Sequence, residues 1–309
     1  MSMSVTTRIT PTRRGGPASW PALLWTAPAL CFYALFALFP LVVALYLSFT
    51  NWNGIAQAAW VGPANWLHFF SDPLTLHAIG LTIEMMILTW VLQTPLSLLL
   101  GVFMAGQQRY RAVLSVFYFL PLLFSTVAIG ITWISILDPN FGLINVTLRA
   151  MGLSSWARGW LGDPNLAFYV VAIVIAWQFI PFHSLLYMTG ARQIPRELYD
   201  VAEIDGAGRL RKFFSITLPQ LKYTIITSSI FMLTGSLTYF DLIWVMTGGG
   251  PGYATRILPL HMYITAFMNE QVGYGSVIAL VLAVSGIALS LLLLRVTGFL
   301  RMSSQLEGL

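Results

Sequence analysis

The sequence predicts an all-α integral membrane protein with six transmembrane helices, on three observations. Of its 309 residues, 57% are hydrophobic and only 9% charged, against about 25% charged in soluble domains. Six apolar stretches reach the roughly 20 residues a helix needs to cross a bilayer. The segments between them share the basic residues unequally, which is the asymmetry that orients membrane proteins.

Taken in order, residues 1–20 are polar, hold Arg8, Arg13 and Arg14, and read as a cytoplasmic tail. Residues 21–49 are too long for the roughly 7–15-residue core of a cleavable signal peptide, so they form the first span. Pro28 and Pro40 kink or delimit it, because proline lacks a backbone donor that lipid cannot replace. Further spans follow at 76–105, 113–137, 166–189, 221–246 and 272–294. Residues 257–267 are also apolar, but eleven residues suit an interfacial or re-entrant helix better than a seventh crossing. The six-helix domain therefore covers 21–295, followed by a second cytoplasmic tail at 296–309.

With the N-terminus inside, the inner segments collect Arg8, Arg13, Arg14, Arg109, Arg111, Arg192, Arg196, Arg209, Arg211, Lys212, Lys222, Arg295 and Arg301. Only Arg149, Arg158 and Arg256 fall outside. Both termini and the loop at 190–220 are thereby expected in the cytoplasm. A net charge of +5 raises nucleic acid as a partner, but the bases flank apolar spans and do not form one aromatic-interleaved patch. The outer loops carry Trp52, Trp60, Trp66, Trp156 and Trp160, residues that commonly mark a membrane interface.

The loop between the fourth and fifth spans is the most polar segment of the chain. It gathers Glu197, Asp200, Glu203 and Asp205 in its first half and Arg209, Arg211 and Lys212 in its second, beside Tyr199, Phe213, Phe214 and Leu218. Both halves read as helical, with Asp205-Gly206 as the turn between them. A merely solvated linker would not need those aromatics, so the loop reads as a protein contact surface.

Several chemistries are absent from the sequence. No G-x-x-x-x-G-K-[ST] loop occurs, so this chain is not expected to hydrolyse ATP or to bind a cofactor of its own. His68, His77, His183 and His261 lack metal-ligand spacing, and no metal site or catalytic residue is assigned. Cys31 reads as a small buried apolar side chain. Glu84 and Asp241 are the intramembrane carboxylates, expected to face the bundle interior or a wet vestibule and to be hydrogen-bonded there.

The fifth span is rich in small hydroxyls. Ser229, Met232, Ser236 and Tyr239 fall on one stripe, and Thr227, Thr234, Thr238 and Asp241 lie roughly opposite. One stripe would contact a neighbouring helix and the other would line a polar path. In the fourth span Trp177, Gln178, Phe179 and Phe182 recur as aromatics and an amide. Together with Met232, Ser236 and Tyr239 they form the candidate substrate path. A sugar needs hydrogen-bonding groups for its hydroxyls and aromatic faces for its C–H surfaces.

The stretch Tyr199-Asp200-Val201-Ala202-Glu203-Ile204-Asp205-Gly206-Ala207, continuing to Phe214-Ser215-Ile216-Thr217-Leu218-Pro219, closely resembles the EAA motif of permease subunits in bacterial ATP-binding cassette (ABC) importers. Ile194-Pro195-Arg196-Glu197-Leu198-Tyr199 and Thr247-Gly248-Gly249-Gly250-Pro251 resemble its carbohydrate-uptake branch, specifically the larger maltose-type permeases. The resemblance implies the type I ABC importer permease fold, with a short cytoplasmic coupling helix, in a bacterial cell membrane. It also implies a second permease, two ATPase subunits carrying ATP and magnesium, an extracytoplasmic sugar-binding lipoprotein and surrounding lipid. By the same resemblance, Glu197, Asp200, Ala202, Asp205, Gly206, Ala207, Phe213, Phe214, Leu218 and Pro219 would meet the ATPase. Asp200 stands where the family has glutamate and Val201 where it has alanine, so the acid is one methylene shorter. Sugar-contacting positions of the maltose permease fall near Ile175, Phe179, Phe182, Met232, Ser236 and Tyr239, several of them apolar here, so a maltose specificity does not carry over. The rival readings are a proton-coupled carrier using Glu84 and Asp241, an ABC importer for a non-sugar solute such as glycerol phosphate, and a polytopic membrane enzyme.

Overall fold

The computed structural model describes residues 20–106 and 108–297; the two expected tails, apart from residues 20, 296 and 297, lie outside the described residues. Among the described residues the chain is helical, with a single isolated β-bridge between Thr50 and Trp60. Helix α1 (Trp20–Tyr33) passes through a π-turn (Ala34–Leu38) into α2 (Phe39–Leu47). The turn ends two residues before Pro40, whose missing N–H leaves a carbonyl one turn upstream without its partner. Short α3 (Ala64–Ser71) leads to α4 (Pro73–Met104), started by Asp72, whose carboxylate accepts from the N–H groups of Leu74 and Thr75.

The stretch expected as the third span is not one helix. It breaks at Phe124 and Ser125, both extended, into α5 (Arg109–Leu123) and α6 (Thr126–Ile136), bent by 99°. Each half is too short to cross alone. Pro121 lies three residues before the break, inside α5, which continues through it to Leu123. After α7 (Leu143–Ala150), α8 (Ala167–Arg192) is a continuous span. The expected fifth span is also bent, by 48°, between α12 (Lys222–Ser236) and α13 (Asp241–Thr247). Helix α14 (Leu258–Tyr263) and its π-turn extension (Ile264–Met268) form the short apolar element; Leu258, Pro259, Leu260 and His261 are buried in protein. Helix α15 (Val272–Val296) is the last long apolar helix, so the described residues hold four helices long and apolar enough to cross and two bent pairs, which make six crossings if each pair is one span.

The bundle is apolar outside and partly polar inside. On α4 the buried face includes Thr75, Thr82, Thr89, Gln93 and Ser97, whereas Leu76, Ile83, Ile87, Val91 and Leu99 are exposed. Thr82 and Thr89 donate to the carbonyls of Ala78 and Met85, so these hydroxyls are satisfied within the helix. This inverts the pattern of a water-soluble helix and matches a surface solvated by hydrocarbon. Cys31 is exposed, not buried as expected, because nearly all of residues 25–47 face outward. Helices α4 and α8 pack tightly at Gly101, where a Cβ would meet Ser184 O and Tyr187 Cβ at 2.6 Å. A larger residue there would hold the two helices apart. Helices α4, α8 and α15 run toward the end of the bundle that carries the polar loop; α13, α14 and the segments after α2 and α6 lie at the far end.

Candidate functional site

Two regions carry chemistry, the polar loop and a cavity in the bundle. In the loop, Pro195 precedes α9 (Arg196–Ile204), and a tight turn separates it from α10 (Arg209–Lys212), a π-turn (Phe213–Thr217) and α11 (Leu218–Gln220). Gly206 takes φ +71°, and Ala207 N–H closes the helix end on Ala202 O at 2.8 Å. Glycine reaches that left-handed backbone without a Cβ penalty, so the Asp205-Gly206 turn forms as expected. Two ties brace the hairpin: Lys212 Nζ lies 2.8 Å from Glu203 Oε2, and the Tyr199 hydroxyl lies 2.9 Å from Thr217 Oγ1. The Lys212 ammonium, hydrogen-bonded to Glu203, holds that carboxyl below the usual 4.5.

Glu197, Asp200, Asp205, Gly206, Phe214 and Pro219 are exposed, and Ala202 and Ala207 half-buried under the turn. Phe213 and Leu218 behave differently from the expectation. They pack against Leu98, Tyr187 and Leu221, and so fasten the loop to its own bundle. The exposed apolar surface comes instead from Ile204 at 86% exposure, Leu210 at 76%, Val201 and Phe214. Ile204 and Leu210 were not singled out by the sequence reading. The available signal was their position on either side of the Asp205-Gly206 turn, where aliphatic side chains have no core to enter.

The second region is a half-open cavity of about 470 Å³ lined by α5, α6, α8, α12 and α13. Ile175, Phe179, Phe182, Phe231, Met232 and Tyr239 give it an apolar, largely aromatic wall, in which Phe179 and Tyr239 stack at 5.8 Å. Its polar lining is Thr126, His183, Thr238, Tyr239 and Asp241. Three of these are held from behind by another helix. Gln178 Nε2 donates to Thr126 Oγ1 at 2.9 Å, Ser228 Oγ lies 2.9 Å from His183 Nδ1, and Gln93 Nε2 reaches the Tyr239 hydroxyl at 3.5 Å. Polar groups locked by a second layer in an apolar pocket are the arrangement of a small-molecule site.

Of the expected path residues, Phe179, Phe182, Met232 and Tyr239 line this cavity; Trp177, Gln178 and Ser236 do not. Trp177 faces outward, edge-on to Trp133 at 5.6 Å, because it lies about half a helical turn from Ile175 and Phe179. Gln178 is buried behind Thr126, and Ser236 Oγ donates to Leu233 O within its own helix. The two stripes expected on the fifth span do not divide cleanly: Met232 and Tyr239 from one and Thr238 and Asp241 from the other all reach the cavity. Ser229 meets α4 by accepting from Trp90 Nε1 at 3.0 Å. Asp241 lines the cavity as a vestibule residue, but Glu84 is not in the interior: it is exposed on α4 and accepts from the Tyr169 hydroxyl at 3.1 Å. His183 was weighed in the sequence only as a metal ligand; its pairing with Ser228 across two helices is invisible to sequence spacing.

The described residues form a polytopic helical bundle with a largely aromatic, polar-studded cavity, an architecture that suits a membrane transport protein. Residues 97–301 match the family described as binding-protein-dependent transport system inner membrane component, and the chain belongs to that family. It is 33% identical over 272 residues to a probable ABC transporter permease, YurN, of Bacillus subtilis, covering 87% of this chain and 93% of that one. It is 30% identical to the trehalose/maltose transport system permease MalF of Thermococcus litoralis, covering 90% and 94%, and to the diacetylchitobiose uptake permease NgcF of Streptomyces coelicolor, covering 87% and 80%. A crystal structure of a bacterial ABC transporter involved in import of the acidic polysaccharide alginate shares the fold, with a TM-score of 0.81 at 20% identity over 92% of this chain and 96% of that one. A second structure of an alginate transporter, in complex with a periplasmic protein bound to an alginate pentasaccharide, gives 0.78 over 89% and 93%, also at 20% identity. The chain is a multi-pass membrane protein of the ABC permease family.

Proposed function

We propose that this chain is a permease subunit of an ATP-driven, binding-protein-dependent sugar uptake system. The observation that carries the reading is the cavity, where aromatic faces surround hydroxyls and an imidazole that neighbouring helices hold in place. That combination suits a polyhydroxylated ring, and relatives named for trehalose, maltose and diacetylchitobiose support the same solute class. In this reading a second permease completes the path, two ATPase subunits supply ATP and magnesium, and an extracytoplasmic sugar-binding lipoprotein delivers the solute. The 190–220 loop faces the cytoplasm with both termini, and its hairpin seats in the ATPase as a coupling helix. Exposed Val201, Ile204, Leu210 and Phe214 are its apolar contacts, and Asp200, also exposed, meets a basic group of the ATPase.

The rival carriers are less well supported. Glu84 lies on the outer surface of α4, away from the cavity, so it is poorly placed for proton coupling. Glycerol phosphate would find no lysine or arginine among the described lining residues.

The test is uptake by the reconstituted complex. ATP-dependent uptake with sugar-stimulated ATPase activity, both abolished by Gly206→Pro or Asp200→Lys with membrane insertion retained, is the expected result. Uptake that persists without an ATPase partner and collapses with an uncoupler would replace this reading with a proton-coupled carrier.

A further inference from the structure

His183 stands apart from the other polar groups of the cavity. It is only 4% exposed, its ring lies edge-on to Phe182 at 5.1 Å, and its Nδ1 is engaged by Ser228, itself fully buried. Nε2 has no protein partner among the described residues, although the side chain lines the cavity. We propose that His183 is a specificity-determining residue, presenting Nε2 to a hydroxyl of an uncharged saccharide in the cavity, with Ser228 as its positioning residue. This rests on the sugar-uptake reading and adds the solute's charge class and the residue that reads it.

The chemistry follows from the pairing. If Ser228 donates to Nδ1, the ring carries its proton on Nε2 and donates to the ligand; if Nδ1 donates to Ser228, Nε2 accepts. A hydroxyl can answer either state, because it both donates and accepts. A carboxylate or phosphate suits only the first state, and an ammonium only the second. The remaining lining argues against an anion as well, because Asp241 is the one charged side chain among the described lining residues. An anionic solute would meet like charge in a largely apolar wall with no local cation.

The experiment uses the complete complex in proteoliposomes with its binding protein. Its probes are tritiated maltose, trehalose, diacetylchitobiose and raffinose, with glucuronate and glucose 6-phosphate as charged comparators. ATP-dependent uptake of at least one neutral probe and of neither charged one is expected. For that probe, His183→Ala should lower uptake at saturating binding protein about tenfold, the scale of one hydrogen bond to a group left unpaired. His183→Gln, which keeps a donor and an acceptor, should recover most of the rate, and Ser228→Ala should lose about threefold. Among monodeoxy derivatives of the transported probe, one should be carried about tenfold more slowly by the unmodified complex but no more slowly than its parent by His183→Ala. A packing role would instead depress every derivative alike and would not be rescued by glutamine, which overturns the proposal. Preference for a charged probe, or no uptake of any neutral one, overturns it too. ATP-independent uptake defeats the parent reading, whereas ATP-driven uptake with unchanged deoxy discrimination defeats this inference alone.

Discussion

Ile204 carries the most testable contact in the loop. A β-branched aliphatic side chain at 86% exposure beside a turn gains nothing from its own fold. Covering it in a partner groove would contribute about 1.5–3 kcal/mol. Ile204→Asp should therefore weaken co-purification of the ATPase about 10- to 100-fold and lower sugar-stimulated ATP hydrolysis. Phe213→Ala should leave that contact and instead loosen the loop from Leu98 and Leu221. Equal retention of the ATPase by Ile204→Asp and the unmodified chain would remove the tip from the interface. The brace beneath it sets a pH window. Because Lys212 depresses the Glu203 value in the folded hairpin, the tie is complete above the usual 4.5 and is lost as pH falls through the lowered value. Spin labels at Leu198 and Ser215 should thus report one narrow distance from neutral pH to 5, broadening only in stronger acid. Glu203→Gln should broaden it modestly throughout, since an exposed ion pair contributes little and the Tyr199–Thr217 tie remains. A distance distribution in Glu203→Gln identical to that of the unmodified chain at every pH would show that the salt bridge does not brace the hairpin.

At the scale of elements, the spans were legible from hydropathy because α4, α8 and α15 are continuous and long. The interruptions were not, since a window averaged over 20 residues counts apolar side chains and is blind to backbone direction. Hence α5 and α6 merged into one expected span although Phe124 and Ser125 turn the chain by 99°. The proline code was only partly readable. Pro40 and Pro219 each stand two residues after a π-turn, whereas Pro95 and Pro181 lie inside helices that continue through them. The cavity was half legible for a similar reason: helical spacing put Met232 and Tyr239 on one stripe and residue type marked Phe179 and Phe182, but which face turns inward depends on neighbours, so Trp177 was misplaced and the Ser228 support of His183 missed. The α4–α8 contact shows what such neighbours impose. Gly101→Ala places a methyl 2.6 Å from Ser184 O and Tyr187 Cβ, a clash with backbone and with the root of a side chain that cannot rotate away. A loss of about 1–3 kcal/mol is expected, read as a lower unfolding midpoint of the detergent-solubilised complex. An unchanged midpoint would show that the two helices separate freely at this point.

For the whole molecule, the uneven basic residues admit two physical causes that the fold allows to be separated. Arg111 donates to Phe103 O, and Arg192 Nη2 lies 3.5 Å from Met104 O, so both serve the carboxyl end of α4, where cations are favoured by the helix dipole. Capping would account for these two residues. It would not account for Arg196, Arg209 and Arg211, which are exposed on the loop. Their shared position at one end of the bundle is what retention on the cytoplasmic side would select. Orientation is the cause that would cover all five, with capping a local use of two of them, and sidedness tests it. In a Cys31→Ser background, a single cysteine at Leu210 should react with a membrane-impermeant maleimide only in inside-out vesicles, and one at Trp156 only in right-side-out vesicles. Leu210 and Trp156 are both well exposed on the chain, so protection from the reagent would report sidedness rather than burial. The reverse pattern would turn the coupling hairpin away from any cytoplasmic ATPase, and the ATP-driven mechanism would fail with it.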